Sequence, residues 1–182
     1  MNQFYIPQED SFLLNKHVKK YSFGRVLDLG TGSGIQAFTV AEDADEVVAV
    51  DIDEKSVEYV RNEIKNRKIK SIKILESDLF ENVKGKFDLI IFNPPYLPFL
   101  DGEDESISRT VSGGKMGYEI IERFLGQAGD YLNENGKILL VFSSLTGEVF
   151  EIMKRYKFDF EMLEEKRFDF EKLYVCLVKL TN

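Results

Sequence analysis

Apolar runs and helical patterns alternate along most of this chain. Val26-Leu27-Asp28-Leu29, Val47-Val48-Ala49-Val50, Ser71 to Leu75 and Phe87 to Phe92 read as strands. Ile35 to Glu42 fits a helix between the first two. Glu54 to Asn66 carries apolar residues at Val57, Val60 and Ile64, a helical spacing. Gly117 to Leu132 is predicted helical, with Ile120, Ile121, Phe124 and Leu125 on one side. Gly136 opens a strand through Phe142, and Gly147 to Tyr156 forms a further helix. Strands separated by helices predict βαβ units and a largely parallel sheet. The end of the chain differs. Phe158 to Glu165 and Leu173 to Leu180 are consecutive strands, which predicts antiparallel pairing there. Glu9 to Lys20 is a short helix preceded by Pro7. Leu97 to Met116 shows no period and is rich in Pro, Gly, Ser and acid, which predicts a functional lid or binding loop.

Length and composition narrow the class. The 182 residues correspond to one domain, and 43% hydrophobic with 31% charged residues excludes a disordered chain. Cys176 is the one cysteine and His17 the one histidine, so an intramolecular disulfide and Cys- or His-cluster metal sites are excluded within the chain. We expect no metal, and a reducing, cytoplasmic compartment. The longest apolar run, Leu173 to Val178, is far shorter than the roughly 20 residues of a membrane span. The opening MNQFYIPQED has no basic or apolar leader region, so no secretory signal is expected. A net charge of −8 speaks against general affinity for phosphate backbones. His17 reads as a solvated helix residue and Cys176 as a small buried hydrophobe.

Two strand ends carry chemistry. Asp28-Leu29-Gly30-Thr31-Gly32-Ser33-Gly34 follows a strand and precedes a helix, where glycines permit positive φ and close approach of backbone to a ligand. Asp51 closes the second strand, where an acid can accept from a ribose diol, although Asp51 or Asp53 can equally cap the next helix. A dinucleotide fingerprint would need glycine at Ile35, and no Walker lysine follows. The second motif is Asn93-Pro94-Pro95-Tyr96, directly after Phe92. Two prolines stiffen the turn and remove two N–H donors, and Asn93 is held extended. The Asn93 side chain and the Pro94 carbonyl supply acceptors for the two hydrogens of an NH2 group, and Tyr96 offers a flat face to a planar amide or base.

The glycine loop resembles motif I of class I S-adenosylmethionine-dependent methyltransferases, and an acid beside it suits a cationic sulfonium better than a pyrophosphate. Asn93-Pro94-Pro95-Tyr96 resembles motif IV of amino-methyltransferases. Tyr5-Ile6-Pro7-Gln8-Glu9-Asp10-Ser11-Phe12-Leu13-Leu14 and Gly113-Gly114-Lys115-Met116-Gly117 are similar to signatures of the HemK-type glutamine methyltransferases of the archaeal and eukaryotic branch. That resemblance covers essentially the whole chain. It implies an α/β class I methyltransferase (Rossmann-like) fold with a seven-stranded, mostly parallel sheet, an antiparallel strand near the C-terminus and helices on both faces. It implies a single domain over 1–182, with residues 1–24 covering cofactor and substrate and no room for the N-terminal helical domain of the bacterial branch. S-adenosylmethionine would be the cofactor, held by Ser11, Asp28, Gly30, Gly32, Asp51, Asp78, Leu79 and Asn93. Ser11 would meet its carboxylate, Asp28 and Gly30 its methionine and ribose, Asp51 its ribose hydroxyls, and Asp78 with Leu79 its adenine. Asn93, Pro94, Pro95 and Tyr96 would hold the acceptor amide, with Asn93, Pro94 and Tyr96 catalytic. The substrate would be the Gly-Gly-Gln loop of a class I peptide chain release factor. A small zinc-binding activator protein would pair along an edge strand near Ser71 to Leu75.

Rival readings share the pocket. Adenine or cytosine also presents an NH2, which admits a DNA or RNA amino-methyltransferase, and a protein lysine methyltransferase or a non-catalytic cofactor-binding module are further alternatives. Arg61, Lys65, Arg67, Lys68, Lys70 and Lys73 form a basic run, read here as a solvated helix end complementing the helix dipole. Asp101, Glu103, Asp104 and Glu105 would repel phosphates beside the site and could face a basic protein. No residue reads as a general base, so catalysis by orientation is expected.

Overall fold

The computed structural model describes residues 6–99 and 112–181. Tyr5 and the acidic positions Asp101, Glu103, Asp104 and Glu105 lie outside the described residues. In chain order the elements are α1 (Glu9–Tyr21), β1 (Arg25–Leu29), α2 (Ile35–Val40), β2 (Glu46–Asp51), α3 (Glu54–Arg67), β3 (Ile72–Glu76), β4 (Phe87–Phe92), β5 (Leu97–Pro98), β6 (Ser112–Gly114) and α4 (Glu119–Ala128). A 3₁₀ turn (Gly129–Tyr131) follows, then β7 (Leu132–Ser143), α5 (Val149–Arg155), β8 (Phe158–Arg167) and β9 (Lys172–Leu180). Seven strands form one sheet in the order β3-β2-β1-β4-β7-β9-β8. Strands β3, β2, β1, β4 and β7 pair in parallel, and β9 runs antiparallel to both β7 and β8. This is the expected sheet, with the reversed strand inserted second from one edge.

The period of two along each central strand sends alternate residues to opposite faces. Leu27, Leu29, Ile90 and Phe92 join α4 and α5 through Ile121, Phe124, Ile152 and Met153 in one core. Val26, Leu89 and Ile91 join α1 and α2 through Leu13, Leu14, Val18, Ala37 and Val40 in the other. Both faces are covered, so these strands are apolar at nearly every position. The strand order reverses between β1 and β4, which are both central and parallel. In such sheets the carboxyl ends of the strands at that reversal form the ligand crevice. No helix among the described residues is long and apolar enough to cross a membrane.

Several expectations are corrected. The helix predicted from Gly117 to Leu132 spans Glu119–Ala128, because Gly117 sits at φ 87° against the Tyr96 carbonyl and Leu132 already pairs with Phe87. The strand predicted from Gly136 therefore begins at Leu132, with a register shift that Asn135 absorbs at φ 64°. Within the unperiodic segment, β5 and β6 pair in parallel. His17 is not simply solvated: its Nε2 lies 2.8 Å from Glu164 Oε2 on β8. The basic run is partly paired. Arg67 donates to Glu63 and its guanidinium lies 4.4 Å from the Phe38 ring centre, and Lys73 reaches Glu46 (2.5 Å). Cys176 is buried on β9 opposite Leu140, and burial pushes its thiol up to about 12.

Candidate functional site

The glycine loop leaves β1 at its carboxyl end and turns into α2. Gly32 (φ 52°) and Gly34 (φ 78°) occupy the left-handed region that side chains avoid, and a Cβ on Gly34 would sit 2.5 Å from the Phe38 ring. Two carboxyls hold the loop. Asp28 is 2% exposed, and its Oδ2 accepts from Thr31 Oγ1 (2.6 Å) and from the Ala37 amide (3.0 Å). Burial pushes this carboxyl up to about 7 against those two bonds. Asp28 thus lies under the loop and fastens it. Asp51 ends β2, where its Oδ2 accepts from the Gly32 amide (2.8 Å) and its Oδ1 from the Asp53 amide (2.9 Å). Burial raises its carboxyl above the usual range in spite of these backbone bonds. Asp53 is the N-cap of α3, accepting from Lys55 and Ser56. Gly30 (φ 60°) lies close to both motifs: a Cβ there would be 3.9 Å from the Asn93 carbonyl oxygen. Asp78, beyond β3, pairs with Arg123 (2.9 Å), and Leu79 beside it takes φ 48°.

Asn93 emerges from β4 next to the end of β1, and α1 closes over it. Its Nδ2 donates to Ser11 Oγ (3.1 Å) and to Asp10 Oδ2 (3.2 Å). Tyr96 donates its hydroxyl hydrogen to the same Asp10 oxygen (3.1 Å). Asp10 and Ser11 are both buried, and the amphipathic first turn of α1 carries them, where a helix N-terminus favours a carboxylate. Gln36 anchors that turn by donating to the Ser11 carbonyl (2.9 Å). The Asn93 amide therefore has both hydrogens taken. Its Oδ1 is buried and accepts from no group among the described residues. Buried acceptors rarely go unsatisfied, so a vacant one at a strand end marks a place for a donor.

Beyond Tyr96 the backbone of residues 95–98 is packed against Gly113 and Gly117. A Cβ on Gly113 would be 2.6 Å from the Pro95 carbonyl oxygen, and one on Gly117 would be 2.5 Å from that of Tyr96. The Gly-Gly-x-x-Gly signature is thus a backbone seat for the proline turn. An open cleft of about 490 Å³ adjoins it, lined by Phe99, Ser112, Gly114, Lys115 and Met116.

The structure brings Ser11, Gly30, Asn93 and Tyr96 together at the ends of β1 and β4, with Gly32 and Asp51 at the neighbouring end of β2. Pro94 is buried and Pro95 half-buried in the same turn. Sequence reasoning quoted Asp10 within a signature without giving it a task. The signal available was an acid in the first turn of a helix otherwise buried by Leu13, Leu14 and Val18.

Residues 8–169 match the family described as Methyltransferase small domain. The chain is 39% identical over 163 residues to a protein of Methanocaldococcus jannaschii named, as a provisional assignment, a protein N5-glutamine methyltransferase; the match covers 88% of this chain and 82% of that one. It is 30% identical over 143 residues to the release factor glutamine methyltransferase of Haemophilus influenzae, covering 68% of this chain and 48% of that protein, so it spans about half the length of that relative. The solved Mtq2–Trm112 complex of E. cuniculi, described as responsible for methylation of the eRF1 translation termination factor, superposes with a TM-score of 0.77 at 23% identity, over 98% of this chain and 99% of that one.

Proposed function

The chain belongs to the Methyltransferase small domain family, and on that premise we propose that it transfers a methyl group from S-adenosylmethionine to the side-chain amide nitrogen of the glutamine in the Gly-Gly-Gln loop of a class I peptide chain release factor. The glutamine methyltransferases among its relatives support the substrate class. The single observation that carries the reading is the buried, vacant Oδ1 of Asn93, with both hydrogens of the same amide already engaged. An acceptor presented this way selects an NH2 donor.

The residues present fit the cofactor. Asp51 uses its oxygens on two amides, but a carboxylate offers about four lone-pair sites, and those that remain suit a ribose diol. Gly30 and Gly32 let backbone approach a ligand closely. Ser11 Oγ accepts from Asn93 and still has a hydrogen to donate to the cofactor's carboxylate. Asp78 and Leu79 would meet the adenine. No residue from Asp28 to Gln36 is basic, which favours a cationic ligand over a phosphate. When bound, S-adenosylmethionine supplies a methyl on a sulfonium, transferred to nitrogen as the carbon–sulfur bond breaks and leaves its electron pair on sulfur.

An amide nitrogen is a poor nucleophile because its lone pair is delocalised. Asn93 Oδ1 and the Pro94 carbonyl would each accept one hydrogen of the acceptor NH2 and turn its lone pair toward the methyl. The same two oxygens stabilise the positive charge that grows on nitrogen, whose surplus proton then leaves to water. Tyr96 would pack its ring on the planar amide. A small zinc-binding activator protein is the second partner we propose, adding a strand along β3. The outer edge of β3, unpaired among the described residues, with Leu75 exposed on it and Ile52 exposed just past the end of the neighbouring β2, supports this.

The test is transfer of labelled methyl to a release factor and to a mixed RNA and DNA pool in parallel, with and without the activator. Label on the Gly-Gly-Gln glutamine is expected. Label on nucleic acid alone would mean that the pocket takes a base. Asn93→Ala should lower turnover by about 10²–10³-fold, the usual loss for one preorganised hydrogen-bond partner. Its cofactor affinity, read by calorimetry, should change little, and near-wild-type turnover would overturn the mechanism.

A further inference from the structure

A side-chain amide has two faces of opposite character, an acceptor oxygen and a donor nitrogen, and nothing in its shape decides which one faces a ligand. At Asn93 the decision is made by its neighbours. Asp10 Oδ2 sits 3.2 Å from Asn93 Nδ2 and 3.1 Å from the Tyr96 hydroxyl. An ionised carboxylate can only accept, so a flipped Asn93 would bring oxygen against oxygen in a buried place. The Ser11 hydroxyl could serve either orientation, because it both donates and accepts. The carboxylate cannot.

We infer that Asp10 is the positioning and specificity-determining residue of the acceptor pocket: by accepting from Asn93 and Tyr96 together, it fixes the pocket's polarity so that oxygen faces the substrate. This rests on the proposed transfer to a glutamine amide. A donor to a carboxylate is a charge-assisted bond, and hydrogen bonds in series polarise one another, so the Asp10 bond also strengthens Oδ1 as an acceptor. Its negative charge, relayed through Asn93, favours the positive charge that develops on the acceptor nitrogen. The pocket would accordingly reject a glutamate in place of the glutamine, since a carboxylate offers no hydrogen to Oδ1 and is repelled by Asp10.

Two measurements need no turnover. In cofactor-free protein, side-chain amide NMR, with Asn93 assigned from the signal missing in Asn93→Asp, should show Asn93 NH2 hydrogens that exchange slowly. In Asp10→Asn, whose new amide can face Asn93 with either end, that exchange should quicken at least tenfold. In calorimetry, a Gly-Gly-Gln peptide should bind at least tenfold tighter than its Gly-Gly-Glu counterpart to wild-type protein, and the ratio should fall below about threefold in Asp10→Asn. Asp10→Glu, which keeps a carboxylate, should recover most of the preference. In turnover, Asp10→Asn should lower kcat by about 10–100-fold with a smaller change in KM. Unchanged exchange and unchanged Gln-over-Glu preference in Asp10→Asn would overturn the inference. If Asp10→Asn fails to fold, rapid Asn93 exchange in the wild type alone overturns it. Failure of wild-type protein to bind or methylate any glutamine substrate, with slow Asn93 exchange intact, would instead sink the proposed substrate while leaving the polarity of the pocket established.

Discussion

Asp28 is a carboxyl with almost no access to water, and its proton equilibrium ties the glycine loop to pH. In the unfolded chain it titrates at about 3.9, and in the fold burial pushes it up to about 7. Between those values the folded state holds more protons than the unfolded one, so stability falls as pH rises through that window and is flat beyond it. A shift of this size corresponds to on the order of a few kcal/mol. Asp28→Asn keeps an acceptor for Thr31 and Ala37 and removes the titration. Its urea midpoint, compared with the wild type at about pH 4, 5.5 and 7.5, should gain on the wild type as pH rises. Parallel curves would show that the loop does not sense this proton. An acid before the glycines was visible in the sequence as a charge suited to a cation. Its actual use, accepting two bonds beneath the loop, depends on Thr31 and Ala37 closing over it, which only the turn itself creates.

At the scale of elements, the turn that carries Asn93 is stiff because its own prolines and a separate segment constrain it together. Gly113 and Gly117 let that segment press on the carbonyls of Pro95 and Tyr96 where any side chain would collide. A Cβ on Gly113 would also stand 2.0 Å from the Gly117 carbonyl oxygen. Gly113→Ala and Gly117→Ala should each cost about 1–3 kcal/mol and lower turnover more than cofactor affinity, because the acceptor pocket moves and the glycine loop does not. Paired thermal melts and cofactor titrations would check this, and a turnover loss matched by an equal loss of cofactor affinity would refute it. The strands of the central sheet were readable because both faces are buried, so Val26 to Leu29 and Phe87 to Phe92 are apolar at almost every position. Strands β5 and β6 were not readable. They are two and three residues long, too short to show a period, and exist because glycine lets their backbones meet. Both chemical motifs stood out by residue type. The bond between Asp10 and Asn93 did not, because 83 residues separate them and only the docking of α1 joins them.

Over the whole molecule, α1 is a strap that links the Asn93 turn to the far edge of the sheet. Its first turn holds Asn93. Asn15 donates to Gln36 (2.9 Å) and Thr39 (2.8 Å) on α2. On the other side, Lys16 and His17 both reach Glu164 on β8, and Lys166 on the same strand meets Glu9. Burial raises the Glu164 carboxyl, but the bonds from Lys16 and His17 outweigh it and hold the group below its ordinary value. A carboxyl lowered in the fold contributes stability above its unfolded value of about 4.3, and that contribution fades as pH falls through the folded one, the opposite slope to Asp28. Exposed pairs of this kind each contribute little because solvent screens them, so no single one holds the strap. The double variant Glu164→Gln with Lys166→Ala should lower the melting temperature by about 2–4 °C, less at high salt. Asp10 and Ser11 ride on the loosened helix, so the same variant should quicken Asn93 side-chain exchange although neither substituted residue touches the site. A melting shift with no change at Asn93 would mean that α2 alone, through Asn15 and Gln36, keeps the first turn of α1 in place.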